Sequence, residues 1–113
     1  MLDMVVDELK REGFGVLTRI DVSAKFKEKL GIDFGKYEIL GVCHPASAHE
    51  AILAESDIGL MLPCNVIVYE EENRTVMSMI KPTVAMQMIN NAELKRVAEN
   101  VEKKLKRVFD SIE

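Results

Sequence analysis

The chain has 113 residues, of which 48% are hydrophobic and 30% are charged, with a net charge of −4 at pH 7. This composition is typical of a globular protein with its own core, so we expect a single domain over residues 1–113. Its apolar runs fall short of the ~20 residues that span a bilayer, its acidic start is unlike a secretory signal, and its interspersed charges differ from a basic nucleic-acid footprint. We therefore expect a cytoplasmic protein whose partners include no nucleic acid and no membrane.

The first third of the chain predicts helix, strand and helix. Apolar residues at spacings of three and four over 2–12 are typical of an amphipathic helix. Alternation over 14–20 indicates a strand. Asp21 or Ser23 can then cap a short helix, which Gly31 ends because glycine enters the left-handed conformation freely.

The middle of the chain predicts a central strand followed by a helix. Both faces of 37–43 are mostly apolar, which favours a position inside the sheet. His44 and Pro45 interrupt that strand, and proline is tolerated in the first turn of a helix, so Pro45 is expected to open a helix to about residue 55. The side chains that we expect this helix to bury are Ala48, Ile52 and Ala51.

The last third predicts a hairpin and two helices. The β-branched run over 64–70 indicates a strand, and 75–80 returns antiparallel after a polar loop. Pro82 begins a short helix to about residue 89, and Asn91 caps a long helix over 92–112. The order α, β, α, β, α, β, β, α, α predicts an α+β fold, a mainly antiparallel sheet with helices packed largely on one face and a long C-terminal helix.

Two short stretches, 41–46 and 59–65, contain the chemistry-bearing residues of this chain. Each places a cysteine beside a proline, and together with His49 they account for both cysteines and both histidines. If the fold brings them together, they form a candidate ligand site. Its expected residues are Cys43, His44, Pro45, Pro63, Cys64 and Asn65.

Several interpretations of these residues stay open at the level of sequence. Free cysteine behaves as a small buried hydrophobe, which favours a structural role over a reactive thiol. A tetrahedral zinc or copper(I) site has enough donors, but their spacing matches no structural zinc pattern. The residues of that metal alternative are Cys43, His44, His49 and Cys64.

Two other groups of residues, the methionines and a basic run, are interpreted as structural and not as functional. The methionines Met77, Met79, Met86 and Met88 are read as core or dimer packing, because methionine fills irregular gaps. The basic run 103–107 is read as a solvated helix face.

The helix openings after Pro45 and Pro82 have free N–H groups that can hold a small anion.

Read end to end, these motifs resemble a known family. The segment 13–22 resembles its opening motif, and the two proline–cysteine stretches resemble its other signatures, so the chain is identified as a member of the Domain of Unknown Function 302 family. The resemblance implies a TATA-binding-protein-like α+β fold and homodimers, and it implies no activity. Members usually have a further strand and turn before the first helix, so either the start codon is misplaced or this version lacks a strand, which would leave a sheet edge free for self-association. They also have asparagine more often than histidine at position 44.

We therefore expect a non-enzymatic, homodimeric binding or assembly module with no cofactor and a small-molecule or anion ligand at the two stretches. The alternative is a thiol-redox or soft-metal protein that uses zinc or copper.

Overall fold

Four antiparallel strands form one sheet in the order β1-β2-β3-β4. The computed structural model describes residues 2–87 and 89–112. Each strand pairs with its neighbour in sequence, so β2 and β3 lie at the centre and β1 and β4 form the edges. The strands are β1 (Gly15–Asp21), β2 (Tyr37–Cys43), β3 (Cys64–Glu71) and β4 (Arg74–Met79).

Most of the helices cover one face of this sheet. The helices are α1 (Leu2–Arg11), α2 (Val22–Leu30), α3 (Pro45–Ala54), α4 (Pro82–Ala85) and α5 (Ala92–Ile112). The long helix α5 is the centre of that layer, because α1, α3 and α4 all pack against it, whereas α2 packs against β2. The predicted α+β fold is confirmed. In the part of the chain that the structure describes, no helix is long and apolar enough to cross a membrane.

The hydrophobic core lies between the sheet and α5. Alternate residues of β2 and β3 face the helices and are fully or almost fully buried. Every third or fourth residue of α5 meets them, which is the spacing of one helix face. The main core side chains are Leu40, Val42, Val66, Val68, Leu94, Val97, Val101, Leu105 and Val108.

The other side of the sheet, which we call the outer face, is also apolar. Ile20, Ile39 and Ile67 are register partners on β1, β2 and β3 and form one row across these strands. In the next row, the rings of Tyr37 and Tyr69 stack at a centroid distance of 5.3 Å. Ile20 is 44% exposed, so this row is only partly covered.

Local capping chemistry sets the helix ends as predicted. Asp21 accepts a hydrogen bond from the backbone N–H of Ala24 at 3.0 Å and caps α2. Gly31 ends α2 in the left-handed conformation, with φ of 68°. Asn91 accepts from Leu94 N–H at 3.1 Å at the start of α5. These ends follow from short-range hydrogen bonds, which is why the sequence could specify them.

Two expectations need correction, and one element is additional. Of the side chains that α3 is expected to bury, Ala51 is buried but its neighbour Ile52 is 44% exposed, because α3 turns Ala51 toward the core. The helix after Pro82 ends at Ala85. A 3₁₀ helix, Ser56–Met61, precedes the second proline–cysteine turn and was not predicted, because a single short turn has no 3.6-residue period.

The methionines expected to pack in the core do so where the structure describes them. Met86 is buried, and Met77 and Met79 pack against the core. Met88 lies outside the described residues.

Candidate functional site

The two proline–cysteine stretches meet at one end of the sheet. Antiparallel pairing places the last residues of β2 beside the first residues of β3, so Val42 is the register partner of Cys64. The chain then enters α3 directly after β2, and α4 begins soon after β4. The end of the sheet is therefore enclosed by α3, α4 and α5.

A small cavity, the apolar cavity, lies inside this enclosure. Its volume is about 40 Å³. A water-sized group needs ~10–15 Å³ by this measure, so the cavity has room for about three carbon-sized groups. Its wall is apolar except at His44, Ser47 and the two cysteines. The main wall residues are Phe14, Val42, Cys43, Cys64, Ala48, Ala51, Met86, Val97, Ala98 and Val101.

The structure brings together three of the six expected site residues. Cys43, His44 and Cys64 line the apolar cavity. The other three are not among the residues that line it. Pro45 is exposed on the first turn of α3, Asn65 is exposed, and Pro63 packs over Gly41. A ligand role for these six residues stays a prediction.

His44 is held in one orientation at the start of α3. Its Nδ1 accepts from the hydroxyl of Ser47 at 2.9 Å and, at 3.4 Å, from the Ser47 N–H. Its ring meets Phe14 edge-on at 5.3 Å. Burial lowers the pKa of His44, and the positive charge of Lys104 lowers it further. His44 is therefore neutral at pH 7, with its proton on Nε2.

Gly13 makes room for this ring. A Cβ at residue 13 would lie 3.0 Å from Nε2 of His44, and the backbone there has φ of +86°. Both the close approach and the left-handed conformation require glycine. Gly13, which lies just after the end of α1, thus positions a cavity residue.

The two cysteines are free, half-buried thiols. Cys64 packs against the core beside its partner Val42. Burial raises the pKa of the Cys64 thiol, and the nearby Cys43 raises it further. Consecutive strand residues point to opposite faces, so Cys43 does not share a face with Val42 or with Cys64, the register partner of Val42. Both features disfavour a reactive thiolate pair.

The expected metal ligands do not form a cluster. His49 is exposed on α3 and is not among the residues that line the apolar cavity. Within residues 2–87 and 89–112, no group of three or more His, Cys, Asp or Glu side chains is arranged to hold a metal ion. The sequence contains enough donor residues for a metal site, but the described part of the structure does not arrange them as a group that could hold a metal ion.

A second depression, the basic cleft, adjoins the apolar cavity. It has a volume of about 320 Å³ and lies between the start of α3 and the middle of α5. Its wall residues are His44, Ala46, Ser47, Glu50, Val97, Asn100, Lys103, Lys104 and Arg107. Three side chains of the basic run 103–107, which the sequence predicts to be a solvated helix face, thus border a depression. The sequence contained one signal for this cleft, which is the spacing of Lys104. This residue lies three residues after the buried Val101 and therefore borders the buried stripe of α5.

Comparisons with known proteins give the family but no activity. A sequence profile described as "Domain of unknown function DUF302" matches residues 1–112. A crystal structure of an uncharacterized conserved DUF302 protein from Bacillus stearothermophilus is 38% identical, with a TM-score of 0.89 over 96% of this chain and 85% of that one. No curated protein of described function matches significantly.

Proposed function

Since this chain belongs to the DUF302 family, whose description assigns no activity, we propose from the geometry of its site that it is a homodimeric binding module. The ligand would occupy the apolar cavity where the two proline–cysteine stretches meet. The homodimer would form through the outer face of the sheet.

The observation that supports ligand binding is the shared cavity itself. Cys43, His44 and Cys64 are distant in sequence from α4 and α5, yet all of them line one small void. Interiors are normally packed to the density of organic crystals. A partly open pocket with an apolar wall is a site that a small apolar molecule can fill.

The cavity also restricts what can bind. Its wall contains no described charged residue, and His44 is neutral. The part of a ligand that enters must therefore be uncharged and about three carbon atoms in size. Larger groups would have to displace α4, which covers the cavity with Pro82 and with Met86 directly after its end.

Xenon tests this proposal because it is apolar and small. We expect xenon under pressure to shift the NMR signals of Cys64, Ala51 and Ala98 selectively. Ala48→Val, which fills the cavity from α3, should abolish these shifts. Ala24→Val is the matched control, because it makes the same change on an exposed position of α2.

Either of two results would contradict cavity binding. One is the absence of xenon shifts near Cys64 in the wild-type protein. The other is an equal loss of shifts in the Ala48 and Ala24 variants, which would assign the effect to helix propensity.

The observation that supports a homodimer is the apolar row on the outer face. The row crosses three strands at Ile20, Ile39 and Ile67. Apolar side chains in a continuous row are a common feature of self-complementary interfaces. A twofold-related copy would cover the row with the same residues.

The thiol-redox and soft-metal alternative stays a prediction that the geometry favours less. Burial raises the pKa of Cys64, although thiolate is the form that reacts with oxidants and binds metals. A disulfide needs Cβ atoms that point toward each other. Cys64 shares a face of the sheet with its register partner Val42, whereas strand alternation places Cys43 on the opposite face.

A further inference from the structure

We infer that the ligand of this protein is a short-chain carboxylate, whose alkyl chain enters the apolar cavity and whose carboxylate lies in the basic cleft. This inference rests on the proposed binding function and adds the chemical class of the ligand.

The two depressions adjoin each other, because His44, Ser47 and Val97 line both the apolar cavity and the basic cleft. The inferred ligand would place its apolar end in the first depression and its charged end in the second. A ligand confined to the apolar cavity would leave the basic cleft empty, and a ligand confined to the basic cleft would leave the apolar cavity empty.

The charge of the basic cleft favours an anionic group. Its wall contains the cations Lys103, Lys104 and Arg107 and one anion, Glu50. Arg107 is paired with Glu12 at 2.9 Å, and Glu50 is paired with Arg96 at 3.2 Å. Each of these ion pairs has no net charge, so the two lysines are the remaining charged residues of the cleft.

Lys103 and Lys104 supply the net positive charge. Neither forms an ion pair with any residue in the ranges 2–87 and 89–112. Lys104 is half-buried, and its charge is close enough to lower the pKa of both His44 and Glu12. A partly desolvated ammonium group without a partner favours an anionic ligand.

The volume of the apolar cavity limits the length of the alkyl chain. The cavity of about 40 Å³ admits about three carbon-sized groups. Butyrate has three carbons beyond its carboxylate and so matches both parts of the site. The wall contributes uncharged side chains to the chain and ammonium groups to the head, which is the division that a carboxylate with an alkyl tail requires.

The test compares three probes by NMR chemical-shift titration of the full chain. Sodium butyrate has both the chain and the charge, n-butanol has the chain alone, and sodium acetate has the charge with a single methyl group. We expect butyrate to bind more tightly than either. Added salt should weaken butyrate binding and leave n-butanol binding unchanged.

Variants of the cleft locate the carboxylate. Lys103→Gln and Lys104→Gln should each weaken butyrate binding about threefold to fivefold, the size of a partly exposed ion pair, without changing n-butanol binding. Lys106→Gln is the control, because Lys106 is on the same helix but is exposed and paired with Asp110.

The outcomes separate this inference from the proposed function. Equal affinities for butyrate and n-butanol, with xenon still bound, would overturn the carboxylate and leave the cavity as a binding site. An equal effect of Lys106→Gln would also overturn it, because the attraction would then be non-specific. The absence of xenon binding would overturn the proposed function itself.

Discussion

Gly41 is a residue of β2 that its neighbours approach very closely. A Cβ at this position would lie 2.8 Å from Cγ of Pro63 and would overlap the hydroxyl of Thr18. The pyrrolidine ring of Pro63 and the β1 side chain therefore both depend on the missing methyl group. This contact fixes the turn that leads into Cys64 and thus one wall of the apolar cavity.

Gly41→Ala should lower the free energy of unfolding by about 1–3 kcal/mol, the usual cost of overpacking a close contact. Denaturant unfolding measures it. Gly35→Ala is the matched control, because a Cβ at residue 35 has no atom within 4 Å, and it should leave stability unchanged or slightly raised. Equal losses in the two variants would refute the role of the Pro63 contact.

At the scale of elements, α4 is held over the cavity by a side chain of α5. Glu102 accepts from the hydroxyl of Thr83 at 2.6 Å and from the Thr83 N–H at 3.0 Å. Lys81, which precedes α4, makes no side-chain cap. A four-residue helix has little stability of its own, so Glu102 substitutes for the missing cap.

Removing this cap should expose the cavity. In a Cys43→Ala background, Glu102→Gln should raise the rate at which a thiol reagent labels Cys64 by about fivefold, because glutamine keeps an acceptor oxygen but loses the ~1 kcal/mol that the carboxylate charge adds to the hydrogen bond. Glu99→Gln, an exposed position on the same helix, should leave the rate unchanged. Identical rates in all three proteins would show that α4 is not held by Glu102.

The same contact predicts a pH dependence. The Thr83 hydroxyl lowers the pKa of Glu102 from its ordinary value of 4.5, with further help from the Thr83 N–H and from the charge of Lys81. A lowered folded-state pKa contributes stability above the ordinary value, and that stability is lost as the pH falls through the folded-state pKa. Between pH 5 and pH 3, Glu102→Gln should therefore lose less stability than the wild-type protein, as measured by thermal unfolding. Parallel losses would contradict this assignment.

At the scale of the whole molecule, the sheet is covered by helices on one side and only partly covered on the other. The core side chains of β2 and β3 are buried, whereas Ile20 on the outer face is 44% exposed. The proposed homodimer would remove this row from water. The row reaches the edge strand β1 at Ile20, and β4 forms the opposite edge of the sheet.

A charge placed in the row should separate the copies. Ile20→Lys is expected to convert a dimer into a monomer in sedimentation equilibrium, because an unpaired ammonium in an apolar interface is costly. Leu53→Lys, an exposed apolar position on α3, should remain dimeric. A monomeric wild-type protein, or dissociation by the Leu53 change alone, would overturn the outer-face dimer.

Local patterns specified most of the elements of this chain. The bounds of β2 and α5 agree with the sequence prediction, because alternation and a long apolar stripe are unambiguous in these segments. Periodicity could not decide which of two adjacent residues on α3 faces the core, so Ile52 was misassigned. It also gave no signal for the 3₁₀ helix, since a single turn has no repeat.

The sequence by itself determined the α+β class, the helix caps and the two stretches in which any site had to be sought, because each depends on neighbours a few residues apart. Only the tertiary structure decided that Cys43, His44 and Cys64 line one cavity while Asn65 and His49 do not, and that Lys104 lies beside His44. These relations depend on strand register and on the packing of α5 across the end of the sheet. Both are set by contacts between residues far apart in the chain, which no local pattern contains.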